Sequence, residues 1–239
     1  MQVWIPYCGA APVPADWLAR WNFDPAVLAG LVLCGGWLTL RAVAGRERNT
    51  AVLAIGLLAI LFVSPFCALS SALFSARVAH HLVLTAITAP LFAIGLPRLA
   101  LPGGAIGWAA LHALIFWAWH TPQAYAIALS SDAMYWLMQF SLLASALGMW
   151  SAVLRGPALL GIGALLASMV QMGLLGALIS FASRPLYAPH WLTTQAWGLA
   201  SLEDQQLAGL LMWVAGSALY LGAAMWIGLR WKALAALRA

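Results

Sequence analysis

The chain has 239 residues, of which 64% are hydrophobic and only 7% charged, with a mean hydropathy of +0.93. Soluble domains carry about 25% charged residues, so this composition excludes an ordinary wetted surface and points to an integral membrane protein. The net charge of +5, from 11 basic and 6 acidic residues, would suggest nucleic acid in a soluble protein. Here the basic residues fall in short clusters between apolar runs, where they set topology, and no nucleic-acid partner is expected.

The opening segment, "MQVWIPYCGAAPVPADWLARWNFDP", lacks the basic start and apolar centre of a signal peptide. The first hydrophobic span is therefore expected to act as its own insertion signal. A bilayer core asks for about 20 apolar residues in helical form. The sequence offers such runs at 26–44, 51–74, 78–96, 102–119, 133–154, 158–182 and 207–229. Polar breaks separate them: "RAVAGRERN" after the first, "GLPRLALPGG" after the third, "LRGP" after the fifth and "SRPLYAPHWLTTQAWGLASLEDQQ" after the sixth. The predicted fold class is all-α: a single polytopic bundle of seven transmembrane helices over residues 1–239, bathed in membrane lipid.

Basic residues favour the cytoplasmic side. With the N-terminus outside, Arg41, Arg46, Arg48, Arg98, Arg155, Arg230, Lys232 and Arg238 become cytoplasmic, and only Arg20, Arg77 and Arg184 are left outside. The expected orientation is N-terminus out, C-terminus in.

That orientation gathers the polar side chains. His80 and His81 open the third span at its outer end, His120 closes the fourth there, and His190 lies in the outer loop before the seventh. His112 is eight residues before His120, roughly 12 Å deeper at 1.5 Å per residue. Asp204, Gln205 and Gln206 open the seventh span on the same side. Met169 and Met172 occupy neighbouring positions of one helix, and Met212 follows Gln205 on one face of the next. Imidazole and thioether suit copper, with soft sulfur favouring Cu(I). The plainer roles stand beside this: histidines at the headgroup level, an interhelical hydrogen bond for His112, and methionines filling gaps.

Cys8, Cys34 and Cys67 form no CxxC arrangement. Cys34 falls mid-span and reads as inert packing; Cys8 and Cys67 both fall near the outer face, with pairing undetermined by spacing. Small residues in "GIGALLAS" and "GLLGALIS" let helices approach closely in lipid. Pro65 and Pro90, each inside a span, are expected to bend their helices or shape a cavity. Pro122 limits how far the fourth span runs beyond His120, with Tyr125 in a short surface helix after it.

The stretches "PYCGAAPVPADW", "WNFDP", "HHLVLTAITAPLFAIGLP", "WAWHTPQAYAIAL", "RPLYAPHW" and "LEDQQLAGLLMW", in this order, resemble the CtaG-type cytochrome c oxidase assembly factors of bacteria, seven-helix inner-membrane proteins. The resemblance spans essentially the whole chain and is most specific at "WHTPQAY" and "DQQLAGLLMW". It implies a role in maturing a haem–copper oxidase, with copper as the delivered metal and oxidase subunits as partners, in the bacterial inner membrane. The matching positions are His81, His120, Pro122, Tyr125, Asp204, Gln205, Gly209, Met212 and Trp213. Two departures stand out. Arg77 takes a position where many members carry a histidine, with His80 beside His81 instead, and "MYWLMQFSLL" shows Tyr135 and Gln139 in place of histidines.

The resulting expectation is a non-enzymatic factor that holds copper at the outer face through His81 and His120. His80 or His112 would complete the site, with Met172 and Met212 as soft donors. Two rival readings are a haem-binding redox protein with paired histidines as axial ligands, and a copper or cation transporter. The transporter would need polar groups continuing inward, and the cytoplasmic halves supply none inside the spans.

Overall fold

A computed structural model describes residues 4, 6–41, 45–96 and 101–237. Arg98 and Arg238, and the side chain of Arg41, lie outside what is described. The described chain is helical with no β-strand. We number its helices α1 (Pro25–Arg41), α2 (Arg46–Phe62), α3 (Pro65–Ala72), α4 (Phe74–Gly95), α5 (Ala105–Trp119), α6 (Pro122–Ala128), α7 (Asp132–Arg155), α8 (Ala158–Ser180) and α9 (Ser201–Ala236).

Four of these, α4, α7, α8 and α9, are long and apolar enough to cross a membrane, or five if the bent pair α2–α3 counts as one span. Helices α1 and α5 are apolar but shorter, at 17 and 15 residues. Long apolar side chains stand exposed along α1, α8 and α9, among them Val32, Leu40, Leu159 and Val214. Such faces are stable only against lipid or protein.

Several boundaries differ from the hydropathy reading. The second span breaks at Ser64, where the chain turns by 49°. Pro65 begins α3 as a first-turn proline, and Ser64 caps it by accepting from Phe66 N at 3.2 Å, the position where a missing N–H costs least. A second break at Leu73 starts α4 at Phe74 rather than 78. Arg77, expected in the outer loop, is thus inside a helix and fully buried. Finally, α9 begins at Ser201 and runs for 36 residues.

Pro90 does not break α4. It follows a π-helical stretch, Val83–Thr88, in which each N–H reaches five residues back. Pro90 has no N–H for the carbonyl of Thr85, and the Trp150 indole of α7 takes that oxygen at 2.9 Å. A freed carbonyl inside the bilayer thus finds its partner within the protein. A second π stretch, Leu211–Gly216 in α9, faces α4 and α8. A Cβ on Gly216 would collide with Met172 Sδ and lie 3.3 Å from Leu82. The glycine lets three helices meet there.

Before α1, the N-terminal segment lies across one end of the bundle as a strap. Cys8 and Cys67 are joined in a disulfide that ties the strap to α3. Tyr7 stacks on Tyr135 with ring centres 5.0 Å apart and donates to Asp24 at 2.5 Å. This hydrogen bond holds the Asp24 carboxyl below its ordinary pKa. Trp197, beyond α8, donates to Pro12 O at 3.1 Å.

Candidate functional site

A broken span leaves backbone groups that lipid cannot satisfy, and much of the polar cluster answers that need. At the end of α2, Ile60 O accepts from Ser64 Oγ, Leu61 O lies 3.2 Å from His80 Nε2, and Phe62 O accepts from Asn22 Nδ2 at 3.0 Å. At the end of α3, Ala72 O accepts from Thr193 Oγ1 at 2.6 Å and from His190 Nδ1 at 3.3 Å. The first N–H groups of α4 point at Asp204. Its carboxylate takes Phe74 N at 2.6 Å, Ser75 N at 3.2 Å and the Ser75 hydroxyl. Asp204 therefore anchors the helix that carries Arg77, His80 and His81.

Gln205 works alongside it. Its Oε1 accepts from Leu186 N at 2.6 Å, and its Nε2 donates to Ile179 O at 3.1 Å and to Arg184 O at 3.4 Å, which fixes the chain leaving α8. A Cβ on Gly209 would stand 2.5 Å from Gly176 O and 2.8 Å from Ser180 N, so α8 and α9 touch backbone to backbone here. Trp213 sits over Gly173 and meets Phe181 edge-on. The "DQQLAGLLMW" stretch is thus an architectural clasp between α4, α8 and α9.

Pro122 occupies the first turn of α6 after Thr121. The short helix expected around Tyr125 is present, but Tyr125 points inward and is fully buried. Its hydroxyl pairs with His190 Nε2 at 2.7 Å. Since His190 gives its Nδ1 proton to Ala72 O, Tyr125 is the donor in this pair. Burial pushes the His190 imidazole down to about 3. Next to it, Tyr187 donates to His120 O at 2.8 Å. The loop between α8 and α9 thereby locks the end of α5.

Four histidines keep an uncommitted nitrogen: His80 at Nδ1, beside its bond to Leu61 O, and His81, His112 and His120. His120 donates Nδ1–H to Phe116 O at 2.7 Å, which in the neutral ring leaves Nε2 with a lone pair and no partner. His112 gives Nδ1–H to Ser145 Oγ at 2.9 Å; that hydroxyl spends its own proton on Ser141 O. His112 Nε2 is again unpartnered. His81 Nε2 meets only the Gln139 amide nitrogen, at 3.5 Å, and Nδ1 meets nothing. The His81 and His120 rings lie edge to face with centres 5.4 Å apart, and His80 is 5.8 Å from His81. The Phe116 ring stacks on His120 at 4.3 Å and lies 5.8 Å from His112. All four histidines are at most 3% exposed.

Among the described residues, no three histidine, cysteine or acidic side chains are placed to hold one metal ion. Met172 and Met212 are fully buried, with Met172 filling the notch at Gly216, and no hydrogen bond joins either sulfur to a histidine. Cys34, expected to be packed, is exposed on α1. It lines a cleft of about 410 Å³ between α1, α2 and α7. Tyr7 and Asp24 also line this cleft, as does Gln139, the residue in contact with His81.

Three features carry no signal in the sequence. The break that puts Arg77 inside α4 lies within an apolar run. The role of Asp204 was invisible because its partners lie 129 and 130 residues away. Ser145, which orients His112, carries no signal of its own.

The family model for the cytochrome c oxidase caa3 assembly factor (Caa3_CtaG) matches residues 31–233. The chain belongs to that family. No curated protein and no solved structure matches it. The matched region takes in every helix from within α1 into α9. The resemblance noted at "WHTPQAY" and "DQQLAGLLMW" therefore rests on the whole bundle and not on two motifs.

Proposed function

We propose that this assembly factor binds a copper ion transiently as cargo and passes it to a subunit of the oxidase. It would sit in the bacterial inner membrane as seven spans, two of them short, with the N-terminus and the histidine cluster on the outer side. The observation that carries this reading is the set of buried, unpartnered nitrogens on His81, His112 and His120. A buried imidazole nitrogen without a partner is costly. A ligand histidine gains from exactly the kind of second hydrogen bond made by His120 and His112, in which the other ring nitrogen is fixed by a carbonyl or hydroxyl. His80, with Nε2 committed to Leu61 O, is better suited to holding the broken span, though its Nδ1 faces no partner either. Met172 and Met212 would serve as soft donors only after a shift in packing.

Two-histidine ligation without a third fixed donor suits a soft monovalent ion and an exchangeable site better than a permanent centre. The cleft ending at Gln139 supports a route for the ion to reach His81. Purified protein loaded with Cu(I) under anaerobic conditions should retain about one ion per chain, as a two-histidine site would. The His81→Ala, His120→Ala double variant should retain at most a small fraction of that. Equal copper in the two proteins would remove the ligand assignment.

A further inference from the structure

Arg77 is fully buried on α4. Its Nη1 lies 3.4 Å from the Tyr135 hydroxyl, and its guanidinium carbon stands 5.2 Å from the centre of the Tyr135 ring. Among the described residues its Nε and Nη2 have no acceptor within hydrogen-bond distance, and the Tyr125 hydroxyl is a second hydrogen-bonding neighbour of the guanidinium. No carboxylate among the described residues comes within ion-pair distance. Asp204, on α9 and capping the start of α4, spends both oxygens on Phe74 and Ser75. The other groups in the field of Arg77 are His80, His81, His190, Tyr125 and Tyr135, none of them an anion.

A guanidinium cannot shed its proton in a protein, and an unpaired buried charge is strongly unfavourable. The two free donors share one edge of the guanidinium plane, the edge whose two parallel N–H bonds match the two oxygens of a carboxylate. We infer that this edge of Arg77 is a binding site for a small monocarboxylate, next to the histidine cluster and independent of any metal. The strap covers the neighbouring ring: Tyr7 stacks on Tyr135, and Cys8 Sγ lies 3.5 Å from the Tyr135 hydroxyl. Loosening the strap would free the Tyr135 ring, which lies between Arg77 and Tyr7.

The test uses the full chain in neutral detergent, titrated with 13C-formate and read by saturation-transfer NMR, with ionic strength held by sodium chloride. Saturable binding displaced by acetate is expected in the wild type. Arg77→Lys keeps the charge but loses the planar fork and should bind formate about ten-fold or more weakly. Arg77→Gln should not bind it. No saturable formate signal in the wild type would overturn the site, and so would an Arg77→Lys protein that binds as well as the wild type. Displacement by chloride as readily as by acetate would overturn the carboxylate assignment. If Arg77→Gln fails to elute as a folded monodisperse species, the comparison of wild type with Arg77→Lys decides the matter alone.

Discussion

His190 shows how a single residue links loop, helix end and pH. It accepts from Tyr125, donates to the last carbonyl of α3, and is held down to about 3 by burial. An unfolded histidine titrates near 6.5, so between about 3 and 6.5 the unfolded chain binds the extra proton. The contribution of His190 is therefore fully present above pH 6.5 and is lost as pH falls through that interval, by an amount on the order of a few kcal/mol. The thermal midpoint in detergent should drop on acidification, and the drop should be shallower in His190→Gln. An unchanged pH slope in that variant would show that His190 is not buried as described. None of this could be read from "RPLYAPHW" alone. A histidine in a polar loop looks solvated until its partners, Ala72 and Tyr125, are known to be close.

At the scale of elements, two breaks and two π stretches organise the bundle, and hydropathy is nearly blind to all four. The run 51–74 stays apolar through Ser64 and Leu73, so its windows show one span where the chain makes two helices and starts a third. The long spans α7 and α8 were legible within two residues at each end because lipid exposure demands unbroken apolar length. The breaks were not, because their cost is met by side chains distant in sequence: Asn22, His80, Thr193 and Asp204. The clasp between α8 and α9 has a direct test. Gly209→Ala places a methyl against Gly176 O and Ser180 N and should lower stability by about 1–3 kcal/mol, seen as a lower thermal midpoint. Gly222→Ala, on the same helix, meets nothing within 4 Å and should leave the midpoint unchanged or slightly raised. Equal behaviour of the two variants would mean that the helices do not touch at Gly209.

For the whole molecule, composition gave the membrane class, the ordered motifs carried the resemblance to the CtaG-type assembly factors, and the family match over residues 31–233 agrees. The candidate site was legible in part. His81, His112 and His120 stand out as histidines in apolar surroundings, while the division of labour between them and His80, His190 and Asp204 depends on backbone geometry. The same fold that exposes an apolar α1 to its surroundings keeps every histidine covered, so the copper exchange proposed above would require the strap or the cleft beside Gln139 to open. The most direct test of copper delivery is the copper-to-haem ratio of the oxidase purified from cells lacking this chain. Oxidase depleted of copper, restored by the wild-type gene but not by the His81→Ala, His120→Ala variant, is the expected result. A normal copper-to-haem ratio in the deletion strain would contradict copper delivery outright.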